Sequence, residues 1–221
     1  MNVILFGATG MVGQGVLREC LLHPSVERVL VVGRTRTGAT HDKLREIVLR
    51  DVADLSSVDA ELSGYDACFF CLGVSSAGMN ERDYRRLTYD LTLAVAQALV
   101  RRNPDMTFIY VSGAGTDSTE RGRMMWARVK GETENALWKL PFKGAYMFRP
   151  GYIQPMHGIT SKTTWYRLLY VVLGGLYPAL KRIFPKFVTT TEQMGRAMIA
   201  VAANGAPKPV LENADINAIG A

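Results

Sequence analysis

"NVILFGATGMVG", residues 2 to 13, is the stretch on which the fold turns. "NVILF" is an apolar run suited to a buried strand, and it breaks at Gly7. Gly10 and Gly13 follow at steps of three. From Val12 the pattern becomes helical, with Val16, Cys20 and the Leu21/Leu22 pair spaced for one face. Glycines between a strand and a helix have separate tasks. The first permits a tight turn, the second lets backbone N–H groups approach a pyrophosphate, and the third lets the helix pack closely on the sheet. The unpaired N–H groups and positive dipole end of the helix N-terminus then hold the diphosphate. A dinucleotide site is predicted at this loop.

The rest of the chain repeats the alternation. Strands are predicted at "VERVLVVG" (26 to 33), "LREIVLRD" (44 to 51), "DACFFCLG" (66 to 73), "MTFIYVSG" (106 to 113) and "AYMFRPG" (145 to 151). Between the later ones lie helical stretches. In 80 to 102, Tyr84, Leu87, Leu91, Val95 and Leu99 recur at amphipathic spacing. Nearly unbroken apolar strands alternating with helices predict an α/β fold, a doubly wound parallel sheet of Rossmann type. After Gly151 the rhythm changes. An aromatic segment punctuated by Pro and Gly, about 152 to 188, is expected to form a small C-terminal substrate lobe within a single NAD(P)-binding domain spanning 1 to 221. "TTTEQMGRAMIAVAANG" predicts a capped helix closing at Gly205, and "KPVLEN" a last short strand.

Composition fits a globular domain: 221 residues, 48% hydrophobic and 21% charged. The N-terminal stretch lacks the pattern of a signal peptide. The longest apolar run, "LLYVVLGGLYPAL" (168 to 180), is too short to span a bilayer. Three cysteines, Cys20, Cys68 and Cys71, make no disulfide framework and suggest a reducing compartment, so a cytoplasmic protein is expected. Cys68 and Cys71 form a CxxC, but residues three apart on a strand face opposite ways and chelate poorly; no metal site is expected. The formal charge of +6 is spread without a basic run or nucleic-acid motif, so nucleic acid is not the predicted partner. Arg167, Lys181, Arg182 and Lys186 among apolar residues fit a membrane-surface helix only weakly, and a lobe helix packed on the sheet is favoured.

The second strand ends "VVGR". A carboxylate there would bind the adenosine ribose and mark NAD(H); Arg34 favours the 2′-phosphate of NADP(H) instead, with Arg36 as a further contact. Asp51, ending the third strand, is placed to meet the adenine amino group or simply to end the strand in a turn.

Taken in order, "GATGMVG", "VVGR", "CLGVSS", "YVSGAG", "VKGETE" and "FRPG" resemble the atypical short-chain dehydrogenase/reductase superfamily, an NAD-dependent epimerase/dehydratase-like assembly of Rossmann proteins. Within it the chain is most similar to the small NADPH-binding group that includes the Tat-interacting protein TIP30. The resemblance implies that Gly7, Thr9, Gly10, Met11, Val12 and Gly13 line the pyrophosphate. It puts Asp51 and Val52 at the adenine, and Cys71, Leu72 and Gly73 beneath the cofactor. Pro150 and Gly151 would flank the nicotinamide. It also matches Ser112 to the family's active-site serine and Lys130 to the lysine of its YxxxK pair. The tyrosine of that pair is replaced by Trp126, whose indole donates a hydrogen bond but cannot deliver and recover a proton. Lys130 is then expected to act chiefly as a cofactor clamp, and Tyr84, Tyr89 and Tyr152 as packing residues. Two functions follow: an NADP-dependent oxidoreductase or epimerase-like enzyme with altered acid/base chemistry, or a non-catalytic NADPH-binding redox sensor. Neither the small-molecule substrate nor the oligomeric state is specified.

Overall fold

Alternation along β1 (Asn2–Phe6) sets the architecture: Val3 and Leu5 enter one buried cluster, Ile4 and Phe6 another. The same division runs through β2 (Arg28–Gly33), where Val29 and Val31 oppose Leu30 and Val32. In β4 (Ala67–Phe70), Ala67 and Phe69 oppose Cys68 and Phe70. A strand buried on both faces belongs inside a covered parallel sheet. The computed structural model describes residues 1–159 and 182–221. In it these strands join β3 (Leu44–Val48), β5 (Thr107–Val111), β6 (Gly144–Arg149) and β9 (Val210–Glu212) in the order β3-β2-β1-β4-β5-β6-β9, every pairing parallel. This is the doubly wound order with a seventh strand added beside β6.

One face is covered by α1 (Met11–Leu22), α5 (Thr191–Asn204) and α6 (Asn213–Ile219), the other by α3 (Leu91–Arg102) and α4 (Met125–Leu137). The glycines of α1 explain how tightly it lies. A Cβ at Gly13 would stand 2.0 Å from the Gly7 carbonyl oxygen, so only hydrogen fits between helix and strand. One at Gly15 would stand 2.5 Å from the Thr191 Cβ, and one at Gly195 2.7 Å from the Glu19 Cβ. α1 and α5 therefore cross nearly backbone to backbone. α5 begins as predicted: the Thr190 side chain accepts a hydrogen bond from the Gln193 N–H at 3.0 Å, and Gly205 follows at φ 73°.

The helix predicted over 80 to 102 is present but not regular. α2 (Glu81–Arg85) passes through a π-turn, Arg86–Asp90, before α3. The wider turn shifts the buried face by one residue. Tyr84 is buried before the turn, Thr88 within it and Val95 and Leu99 after it, while Leu87 and Leu91 are only half-buried. Cys68 and Cys71 face opposite sides of the sheet, as expected, and all three cysteines are free thiols. Of the expected lobe, 152 to 159 and 182 to 188 are described. They contribute β7 (Tyr152–Gln154) and β8 (Val188–Thr190), paired in a small parallel sheet. The apolar run 168 to 180, with Arg167 and Lys181, lies outside the described residues. Among the described residues no helix is long and apolar enough to cross a membrane.

Candidate functional site

At the C-terminal edge of the sheet, where β1 lies between β2 and β4, the connections leave in opposite directions and open a crevice. The structure has a groove of about 600 Å³ there, lined by residues 7 to 11, Val31, residues 33 to 35 and residues 71 to 74. Its floor is the glycine loop. Gly7 takes φ 82°, a conformation that disfavours side chains, and a Cβ on it would meet the Cys71 backbone at 2.6 Å. The Gly10 N–H donates to the Gly7 carbonyl at 2.9 Å, closing the turn onto α1. Gly10 has extended backbone, and a Cβ there would touch only the Gly7 carbonyl oxygen, at 3.3 Å. The space before it belongs to the groove. The loop is thus a cradle that a side chain would fill, above a helix whose first N–H groups have no intrahelical partner. A dinucleotide diphosphate fits it.

Gly7, Thr9, Gly10, Met11, Arg34, Cys71, Leu72 and Gly73 line this groove, as the sequence suggested. Ala8, Val31, Gly33, Thr35 and Val74 line it as well. They adjoin the predicted residues at the strand ends, and the strand-end rule alone points to them. Val12 instead packs on the apolar cluster beneath α1, and Gly13 is buried under the Gly7 carbonyl, so both act from behind the loop. Arg36 is turned to β3, with an Nη 3.8 Å from a Glu46 carboxylate oxygen. Glu46 also accepts from the Thr37 N–H at 2.8 Å. Arg34 is exposed and makes no ion pair among the described residues. The adenine pair is not at the groove lining. Asp51 accepts from the Ala53 N–H at 2.9 Å in a turn of its own making, and Val52 is buried in the core with Leu55.

The second half of the expected site lies over the ends of β5 and β6. Lys130, half-buried on α4, donates from Nζ to the Ser112 carbonyl, and its Nζ stands 5.9 Å from the centre of the Trp126 ring. Burial pushes the Lys130 pKa down to about 8, against the opposing pull of the Glu134 carboxylate. Glu134 is wholly buried. Arg149 grips it through Nε, at 3.0 Å, and through an Nη, while reaching Glu212 at 3.5 Å and the Ser118 hydroxyl at 2.5 Å. The Glu134 carboxylate in turn holds the Arg149 pKa above its usual value.

Ser112, just past the end of β5, is buried, and its hydroxyl and its N–H both donate to the Phe148 carbonyl, at 3.2 and 2.9 Å. The side chain thus stitches β5 to β6. Pro150 and Gly151 are held in place: the Pro150 carbonyl accepts from the Ala114 N–H at 2.8 Å, and the Gly151 N–H donates to the Asn213 side chain at 2.9 Å. From Arg34 at the end of β2 to Lys130 over β5 the sheet runs three strand spacings of about 4.8 Å each. That is a span suited to an extended dinucleotide.

A parallel doubly wound sheet with this loop at its switch point defines a nicotinamide-dinucleotide-binding fold. The family model for "Semialdehyde dehydrogenase, NAD binding domain" matches residues 2–90. Among curated proteins, "Protein fmp52, mitochondrial" of Emericella nidulans is 31% identical over 159 residues, covering 69% of this chain and 66% of that protein. "Protein HTATIP2" of Rattus norvegicus is 27% identical over 153 residues, covering 68% of this chain and 62% of that protein. The crystal structure of the Bordetella bronchiseptica enzyme WbmF in complex with NAD+ superposes with a TM-score of 0.66 at 18% identity, covering 98% of this chain and 76% of that one. These similarities fit the atypical short-chain dehydrogenase/reductase superfamily. Its matched part spans just under two thirds of these curated relatives.

The expectation of a cytoplasmic protein is corrected by the same comparison, since the Emericella relative is named mitochondrial. Reduced cysteines distinguish reducing from oxidising surroundings. They do not distinguish the cytosol from the interior of an organelle.

Proposed function

We propose that the chain binds NADP(H) in preference to NAD(H) along this edge and acts as an oxidoreductase on a small carbonyl compound. The observation that carries the cofactor choice is Arg34. It lines the groove at the end of β2, exposed and outside any ion pair among the described residues, where a ribose-binding carboxylate would otherwise stand. A guanidinium there matches a phosphate in charge and in fork geometry. Bound in reduced form, the dinucleotide supplies a hydride. The glycine loop orients its diphosphate, and Pro150 and Gly151 fix the far wall.

Arg34→Ala tests the preference. A hydrogen bond to a charged group contributes about 1.5–3 kcal/mol, so NADPH affinity is expected to fall about tenfold or more. NADH affinity should stay nearly untouched. Both are measured by fluorescence titration, and an equal loss for the two cofactors would overturn the assignment of Arg34.

Trp126 favours a second reading, a protein that binds NADPH without turnover and reports redox state to a partner. The two readings separate on whether NADPH bound to the purified chain is oxidised when small aldehydes and ketones are supplied.

A further inference from the structure

We propose that Lys130 is the proton donor of the reduction, in the part that Trp126 cannot play. The inference rests on the oxidoreductase reading above. Four features of the site converge on it. The residue one helical turn before Lys130 is Trp126, whose indole N–H is not an acid in water. The Ser112 hydroxyl is committed to the Phe148 carbonyl, and Gly113 and Ala114 bring no polar side chain. The Lys130 ammonium has three N–H donors and gives one to the Ser112 carbonyl. A Cβ at Gly113 would lie 3.7 Å from Nζ; glycine has none, and that flank of the ammonium is left free of side chain.

The charged groups around Lys130 leave its proton available. Glu134, one turn further along α4, has both oxygens held by Arg149 from β6. Tyr110 on β5 is buried, and burial pushes its phenol far above the range in which it ionises. On the helices packed against α4, Arg85 pairs with Asp90 and Glu132, and Glu81 pairs with Arg128. Asp117, in the loop against Gly131, binds Thr119 and Gly122. Burial therefore dominates and brings Lys130 to about 8, close to the pH at which a general acid works best.

In the step, the carbonyl carbon accepts a hydride, and with it two electrons from the reduced dinucleotide, while the carbonyl oxygen takes a proton from Nζ. C=O becomes CH–OH, leaving oxidised dinucleotide and a neutral amine that water reprotonates.

Lys130→Arg and Lys130→Met in the full chain test this. In the wild type, kcat/KM for NADPH-dependent reduction of small aldehydes and ketones should fall as pH rises through about 8, because the acid must be protonated. Arginine keeps the charge and the donors but does not release a proton. Lys130→Arg should hold NADPH nearly as tightly as the wild type and lose turnover on the order of 100-fold. A separate readout needs no substrate. In the ligand-free protein labelled with 13C-lysine, the Cε signal missing from Lys130→Met should titrate near 8. A midpoint near the ordinary lysine value of about 10.4 would overturn the proposal. So would wild-type turnover in Lys130→Arg. A wild type that binds NADPH and reduces none of the carbonyl compounds, or one that binds neither dinucleotide, would instead overturn the oxidoreductase reading beneath it.

Discussion

Gly10→Val is expected to abolish binding of NADPH and NADH alike while the protein remains folded. The backbone at Gly10 is extended, at φ −80° and ψ 164°, which valine adopts without strain. Its Cβ would press only on the Gly7 carbonyl oxygen, at 3.3 Å, which a slight shift relieves. The methyl groups would instead occupy the cradle in front of α1, where the pyrophosphate must approach the N–H groups. Gly13→Val is the contrasting variant. Its Cβ would fall 2.0 Å from the Gly7 carbonyl oxygen, and it should lose stability before any question of ligand arises. Thermal unfolding and a fluorescence titration on both variants make the check. A folded Gly10→Val protein with intact affinity would reduce the loop to a turn.

Arg149→Met is expected to destabilise the protein strongly. It leaves the Glu134 carboxylate wholly buried without its two hydrogen bonds from the guanidinium. Breaking a buried pair by removing one partner costs about 3–5 kcal/mol, because the remaining charge is uncompensated. Adding Glu134→Leu should recover much of the loss, since a buried pair is often replaceable by apolar side chains. Urea unfolding of the single and double variants measures both effects. A loss below about 1 kcal/mol for Arg149→Met would place the pair in effectively aqueous surroundings.

What the sequence made legible was local. The glycine loop, the cation ending β2 and the Thr190 cap with Gly205 each follow from a few adjacent residues whose chemistry admits little else. What escaped depends on partners far along the chain. "YVSG" marks Ser112 as a serine at a strand end, but whether its hydroxyl faces a substrate is decided by Phe148 on the neighbouring strand. Arg149 lies in "FRPG" and Glu134 in "KGETE", and no spacing announces that they meet. Asp51 was open to two readings, and of these the local turn to Ala53 is present in the structure, its partner only two residues away. The π-turn at Arg86–Asp90 was hidden because the apolar spacing on either side remains helical.

The crossing of α1 and α5 ties the two ends of the chain together in time as well as in space. During synthesis, the glycine loop and β1 to β5 leave the ribosome well before residues 191 to 204. Until α5 arrives, the side chains of Val3, Leu5, Val29, Val31, Phe69 and Ile109 lack a large part of their cover. Gly15 and Gly195, which permit the backbones to touch, have no counterpart contact to make in a shorter nascent chain. The front half of the protein thus has a waiting period built into its topology, during which its most adhesive surface is still open.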